Sequence, residues 1–238
     1  MTIPILMYTH SEYSFLWKAA IPLLEKYAKG FQIIWCCDSL LDYKIPDSWK
    51  LYTYDPSLIW SDRVKGCLET IDSEYLIYIQ EDWLLIDSID LEKVEHCLEF
   101  MKELNCEFLM SYPNNIRDGV YTSKYKDYVF LKIFSHYFQP AIWKKTLLHQ
   151  LCSLKIPLNE NETEQCFTIS KERNCFALYN TRHEKDLSTR ALFFPHMHAI
   201  VRGKWTFLKY PCLKALVEAY GIDTSTRGID TQWIPEYQ

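Results

Sequence analysis

Glu74-Tyr75-Leu76-Ile77-Tyr78-Ile79-Gln80-Glu81-Asp82-Trp83-Leu84-Leu85 decides how this chain is read. An apolar run of strand length, rich in β-branched and aromatic residues, meets two adjacent carboxylates. Tyr75 to Ile79 suits a strand in the middle of a sheet. Carboxylates repel one another and need water, so a buried strand that ends in a pair of them calls for a reason. A hard divalent cation is such a reason, because it takes oxygen ligands and bridges to substrate phosphates. Open α/β sheets bind ligands beyond the carboxyl ends of their strands. Glu81 and Asp82 are therefore placed where a metal–diphosphate complex would sit.

Outward from this stretch the chain alternates. Ile3 to Tyr8 reads as a first buried strand that ends at Thr9-His10-Ser11. Phe15 to Ala28 has helical spacing, with Gly30 as its stop and Pro22 as an expected break or kink. Phe31 to Cys37 is a second strand ending near Asp38, with Cys36 and Cys37 on opposite faces. Trp49 to Tyr54 is a third, and Asp62 to Thr70 a helix whose polar face carries Arg63. The order β-α-β-(β)-α-β predicts an α/β fold with a largely parallel sheet flanked by helices. Downstream, Leu91 to Leu104 reads as a helix, Phe108 to Tyr112 and Tyr128 to Phe134 as strands, and Ala141 to Leu154 as a helix. A Trp205 to Tyr220 segment closes a second half of mixed strand and loop signals. No repeat or Gly/Ser linker divides the chain. The expectation is one domain over residues 1–238, with a nucleotide-side half to about residue 110 and a more irregular half from about 111.

Composition supports a packed core. Of 238 residues, 48% are hydrophobic and 16% aromatic, which excludes a disordered chain. The net charge of −5, with acids and bases interspersed, offers no basic stripe for a nucleic-acid backbone. Nine cysteines without a CxxC pair, an odd count, fit reduced thiols and a cytoplasmic setting. No apolar span is long enough for a transmembrane segment, and no basic-then-apolar leader opens the sequence.

The strand ending in Glu81-Asp82, Arg63 in the preceding helix and the first strand ending in Thr9-His10 together resemble the nucleotide-sugar-dependent glycosyltransferases of the GT-A fold. Gln139 to Lys145, Asn159 to Glu164 and Val201 to Trp205 are similar to segments of the small bacterial and viral members. The resemblance implies a Rossmann-like first half that binds the donor and a second half that binds the acceptor. It implies a carboxylate motif that holds Mn²⁺ or Mg²⁺ on the diphosphate of a UDP- or GDP-sugar. Glu81-Asp82-Trp83 departs from the usual Asp-x-Asp at its third position. By the same likeness Glu164 takes the place of the acceptor-side base, with Glu160 or Glu162 as alternates. The implied reaction moves a sugar to a hydroxyl of a glycan, with inversion.

Each candidate has a plainer reading. Asp82 is the first choice for metal, with Glu81 assisting or bonding the ribose region; both acids could instead be solvated at a strand end. Tyr8, Thr9 and His10 end the first strand, where base and ribose belong, although Tyr8 also suits the core. Asp38 is a candidate acceptor for the base, or a loop acid. Arg63 suits phosphate or Asp82, or a surface pair with Asp62 or Glu69. His196 and His198, two apart on a strand, share a face and could reach one metal, His198 first. Arg202 and Lys204 flank Gly203, a pattern that suits close approach to a diphosphate. Trp83 and Gln139 are placed on the acceptor side. Three other functions remain open: a sugar nucleotidyltransferase, an inactive glycan-binding module, and a hydrolase. The first normally wants a Gly-rich basic loop after the first strand, where this chain has Thr9-His10-Ser11-Glu12.

Overall fold

The structure is a computed structural model and describes residues 3–111, 117–126, 128–133, 140–155, 173–180 and 193–231. Glu160, Glu162, Glu164 and Gln139 lie outside the described residues. The first half follows the expected alternation: β1 (Ile5–Tyr8), α1 (Ser14–Tyr27), β2 (Ile33–Cys37), β3 (Lys50–Thr53), α2 (Trp60–Glu69), β4 (Tyr75–Gln80). These strands are parallel in the order β3-β2-β1-β4. The chain thus winds from β1 to one side, then crosses back to β4 on the other. The crevice beyond the end of β1 is where the winding reverses.

The same sheet continues through the second half. After β5 (Trp83–Leu85) and α3 (Leu91–Glu103) come β6 (Phe108–Met110), β7 (Arg117–Tyr121), β8 (Tyr128–Ile133), β9 (Ala141–Lys144), α4 (Lys145–Ser153) and β10 (Cys175–Asn180). The full nine-stranded order is β3-β2-β1-β4-β9-β6-β10-β8-β7. Every strand of it runs the same way except β8 and β9. The architecture is a mixed α/β fold with one large, mostly parallel sheet covered by helices. Four short elements close the described chain: β11 (His196–His198), β12 (Ile200–Val201), β13 (Lys204–Trp205) and α5 (Pro211–Ala219).

Alternating side chains build a core on each face of the sheet. Ile5 and Met7, Trp35 and Cys37, and Ile77 and Ile79 face α1 and α3. Leu6 and Tyr8, Ile34 and Cys36, and Leu76 and Tyr78 face α2 and α4. Cys36 and Cys37 fall in different cores, as their adjacency in a strand requires.

Two expectations need correction. Ala141 to Leu154 is not all helix: Ala141–Lys144 is a strand between β4 and β6, and the helix starts at Lys145. Ala-Ile-Trp fits helical and strand spacing alike, and the vacancy between two buried strands decided for the sheet. Nor does Pro22 break its helix, which is continuous from Ser14 to Tyr27. The missing amide bond is outweighed by burial of Leu16, Trp17, Ala19, Ala20, Leu23 and Leu24 against the sheet.

Candidate active site

Glu81 and Asp82 form a turn, not a strand end. β4 stops at Gln80 and β5 restarts at Trp83, leaving the large sheet to pair antiparallel with β11. That pairing sets His198 directly opposite Trp83. The Asp82 carbonyl accepts the Ala199 N–H at 2.6 Å, which ties the turn to the strand carrying His198. On the side chain, His198 Nε2 lies 3.1 Å from Asp82 Oδ2, and the side chains are 21% and 18% exposed. Oδ1 is buried and has no hydrogen-bond partner among the described residues. A buried carboxylate oxygen without a donor costs free energy unless something outside the chain completes it.

Glu81 differs from its neighbour. It is only 7% exposed. Burial first, and the adjacent Asp82 charge second, push its carboxyl well above the usual range. It favours the neutral form, which serves as a hydrogen-bond donor better than as a second anion. The sequence made a pair of the acids; burial gives them different characters.

Across the crevice, the chain leaving β1 is held tightly. The buried Thr9 hydroxyl accepts the Trp17 indole N–H at 2.6 Å, and its carbonyl accepts the Tyr54 hydroxyl at 2.6 Å. Asp38 accepts both the Ser11 amide, at 2.7 Å, and the Ser11 hydroxyl. Burial alone raises the Asp38 carboxyl, but the Ser11 bonds and nearby His10 outweigh it and leave it below its ordinary value. Asp38 thus fastens β2 to the 3-10 turn Ser11–Tyr13.

Tyr8 stacks on Tyr54, with ring centroids 5.6 Å apart. Arg63 lies over Tyr54 at 5.0 Å and donates to the Tyr8 hydroxyl at 3.3 Å. It also donates to the carbonyls of Leu58 and Pro56, at 2.6 and 2.7 Å. The structure therefore joins Arg63 with Tyr8 beside the end of β1, and not with Asp82, Asp62 or Glu69.

On β11 the two histidines share a face but not a role. His196 is buried and bonded to the Phe194 carbonyl. Burial drives its imidazole down to about 3, so it stays neutral. Only His198 reaches Asp82. Trp83, read as a floor for an acceptor sugar, is 7% exposed, with its ring stacked on His198 at 3.8 Å and edge-on to His196 at 4.8 Å. A covered face is not open to a sugar. Arg202 and Lys204 are exposed on the hairpin β12–β13, where Arg202 and Gly203 make the turn with φ of 50° and 75°. Successive positive φ values are those of a tight primed hairpin turn, and glycine takes the second without strain.

Several site residues escaped the sequence reading. Tyr13, Tyr54, Ser11 and Arg227 have no motif to announce them. Burial raises the Tyr13 phenol, the Glu81 and Asp82 charges raise it further, and Arg227 lowers it. The Arg227 guanidinium lies 5.2 Å over the Tyr13 ring and 4.7 Å over Phe15.

Asp82 and His198 are the described residues that could hold a cation. Asp82 supplies an unpartnered buried oxygen, and His198 a neighbouring ring nitrogen. Among the described residues no group of three or more His, Cys, Asp or Glu side chains forms a cage. A cation here would need substrate oxygens to complete its shell, as Mg²⁺ ordinarily does with phosphates.

No protein-family model and no curated protein sequence matches this chain. Solved structures do. A cytidylyltransferase from Leptospira borgpetersenii is 14% identical, covers 92% of this chain and 87% of its own, and has a TM-score of 0.47. S. aureus TarS 1-349 in complex with UDP is 12% identical, with 94% and 67% covered and a TM-score of 0.47. The bifunctional IspDF from Campylobacter jejuni is 12% identical, with a TM-score of 0.41; this chain covers 82% of itself and spans 52% of that protein. The likeness is confined to the fold. Among the described residues no helix is long and apolar enough to cross a membrane.

Proposed function

We propose that this chain is a divalent-metal-dependent glycosyltransferase that moves a sugar from a nucleoside-diphosphate donor to a hydroxyl of a glycan. One observation carries the reading. Asp82 stands at the crevice where the sheet's winding reverses, with one oxygen held by His198 and the other buried and unpartnered. Asp82 and His198 would hold Mn²⁺ or Mg²⁺, which supplies Lewis-acid neutralisation of a diphosphate leaving group. Tyr8 and Tyr54 are buried and stacked on each other, so they serve to position Arg63, and the half-buried Arg63 and His10 flank the end of β1 where base and ribose would lie.

In the proposed step the acceptor oxygen bonds to the anomeric carbon as that carbon's bond to the diphosphate oxygen breaks. The electron pair leaves with the nucleoside diphosphate, and the hydroxyl proton passes to a carboxylate. Glu164, or Glu160, is the proposed base. Glu164→Gln is expected to cut turnover by about a hundredfold or more while donor binding survives. Equal turnover in Glu160→Gln, Glu162→Gln and Glu164→Gln removes the base from this segment.

Local hydrogen bonding favours sugar transfer over nucleotidyl transfer. A phosphate-cradling loop needs free amides. After β1 the amides of Thr9, Ser11, Glu12 and Tyr13 are taken by Cys36 O, Asp38, His10 Nδ1 and His10 O. The deciding experiment screens UDP- and GDP-sugars, with Mn²⁺ or Mg²⁺, for release of nucleoside diphosphate. Turnover that disappears in Asp82→Asn supports the reading. Pyrophosphate release from a nucleoside triphosphate and a sugar phosphate, with no donor turnover, overturns it.

A further inference from the structure

Arg227 occupies an unusual place. Its guanidinium lies over Tyr13 and Phe15, and Nη1 donates to the Gly203 carbonyl at 3.4 Å. The rings belong to the segment that leaves β1 after Thr9. The carbonyl belongs to the hairpin that leaves β11 just after His198 and Ala199. Arg227 therefore joins the segment that follows β1 to the hairpin that follows His198, whose ring lies beside Asp82.

Its own backbone is fixed by the same hairpin. Trp205 N donates to Gly228 O at 2.9 Å, Asp230 N donates to Trp205 O at 2.8 Å, and Trp205 pairs with Ile229 in parallel. Phe15 packs edge-on against Trp205 at 6.0 Å, closing the support from below. Among the described residues no carboxylate forms an ion pair with Arg227. A guanidinium held over two aromatic rings, with most of its donors unspent and no ion pair among the described residues, is prepared for a planar or tetrahedral oxyanion.

We infer that Arg227 is the cationic contact to the β-phosphate of the donor, opposite Asp82, and so sets the preference for nucleoside diphosphates over monophosphates. The inference rests on the proposed donor site and adds to it a residue without a sequence motif. It also moves this role away from Arg202 and Lys204, whose side chains are exposed on either side of Gly203.

The test is titration of UDP, GDP and their monophosphates into the wild type, Arg227→Ala and Arg227→Lys, with Mn²⁺ present throughout. Losing one charge-assisted contact is expected to weaken diphosphate binding by about ten- to a hundredfold. Monophosphate binding should stay within about twofold, a span worth only a few tenths of a kcal/mol. Arg227→Lys should recover part of the loss. If Arg227→Ala fails to fold, Arg227→Gln, which keeps a planar head without the charge, gives the same reading. An equal loss for mono- and diphosphates marks Arg227 as a staple for the chain end and overturns the inference, as does no loss for either. Wild type that binds no nucleoside diphosphate with metal overturns the proposed function as well, so the two failures are distinct.

Discussion

Asp82 is satisfied at one oxygen and bare at the other, and that asymmetry makes a stability prediction. Asp82→Asn keeps the shape and removes the charge. The ligand-free protein should melt no lower than the wild type, because a desolvated anion has been taken from a site that does not complete it. The same change should cost about a hundredfold or more in turnover, since metal neutralisation contributes several kcal/mol to such steps. A clear fall in the melting temperature of the ligand-free variant would instead make Asp82 a structural acid. Thr9, His10 and Asp38 were legible as residues at strand ends, and Arg63 as a residue on the polar face of a helix. Their partners were not, because Ser11 on Asp38 and Tyr8 with Tyr54 on Arg63 are contacts between elements distant in sequence.

Two elements carry predictions of their own. In α1, Pro22 withholds an amide from the middle of an otherwise well-buried helix. Pro22→Ala should raise stability by about 1–2 kcal/mol, less than the cost of an interior proline because proline also restrains the unfolded chain. A neutral or negative change in a denaturant melt contradicts this. In α3, His96 anchors the loop between β7 and β8: Nε2 lies 3.2 Å from the Ser123 hydroxyl and accepts the Lys124 amide at 3.4 Å. Glu99 stands 3.7 Å from Nδ1, Lys124 Nζ pairs with the same Glu99 oxygen, and Tyr125, Tyr128 and Phe130 surround the ring. Burial first, then Lys124, holds the imidazole below its ordinary 6.5. The folded state therefore binds this proton less readily than the unfolded chain. Its stability is fully present above pH 6.5 and falls as the pH drops below it. Against His96→Gln, the wild type should lose melting temperature between pH 6.5 and 5, a window set by the ordinary histidine value; parallel curves contradict the role.

At the scale of the molecule, the sequence made the first half readable because its strands are continuous apolar runs separated by helices with clear spacing. The alternation predicted a largely parallel sheet, and the strand order that makes the switch point came only from the structure. The second half resisted because its strands are short, and Ala141–Lys144 could be assigned only by the place left for it between β4 and β6. Likewise the acid pair was legible, but its division into a buried, neutral-leaning Glu81 and a half-satisfied Asp82 depends on β5 turning away to meet β11. That turn joins the crevice beyond β1 to the last described elements: Asp82 is bonded through Ala199 and His198 to the strand from which the β12–β13 hairpin and Arg227 are held. Binding at the crevice should therefore stabilise the whole fold and not one lobe of it. Mn²⁺ with UDP or GDP at a hundredfold over the dissociation constant should add about 2.7 kcal/mol to unfolding. Metal alone should add less, because Asp82 and His198 are too few to complete its shell, and nucleotide alone less again, because nothing then offsets the repulsion between its phosphates and Asp82. The measurement is a melting panel of metal, nucleotide and both. A combined shift no larger than the sum of the separate ones would mean that cation and phosphates do not meet at Asp82.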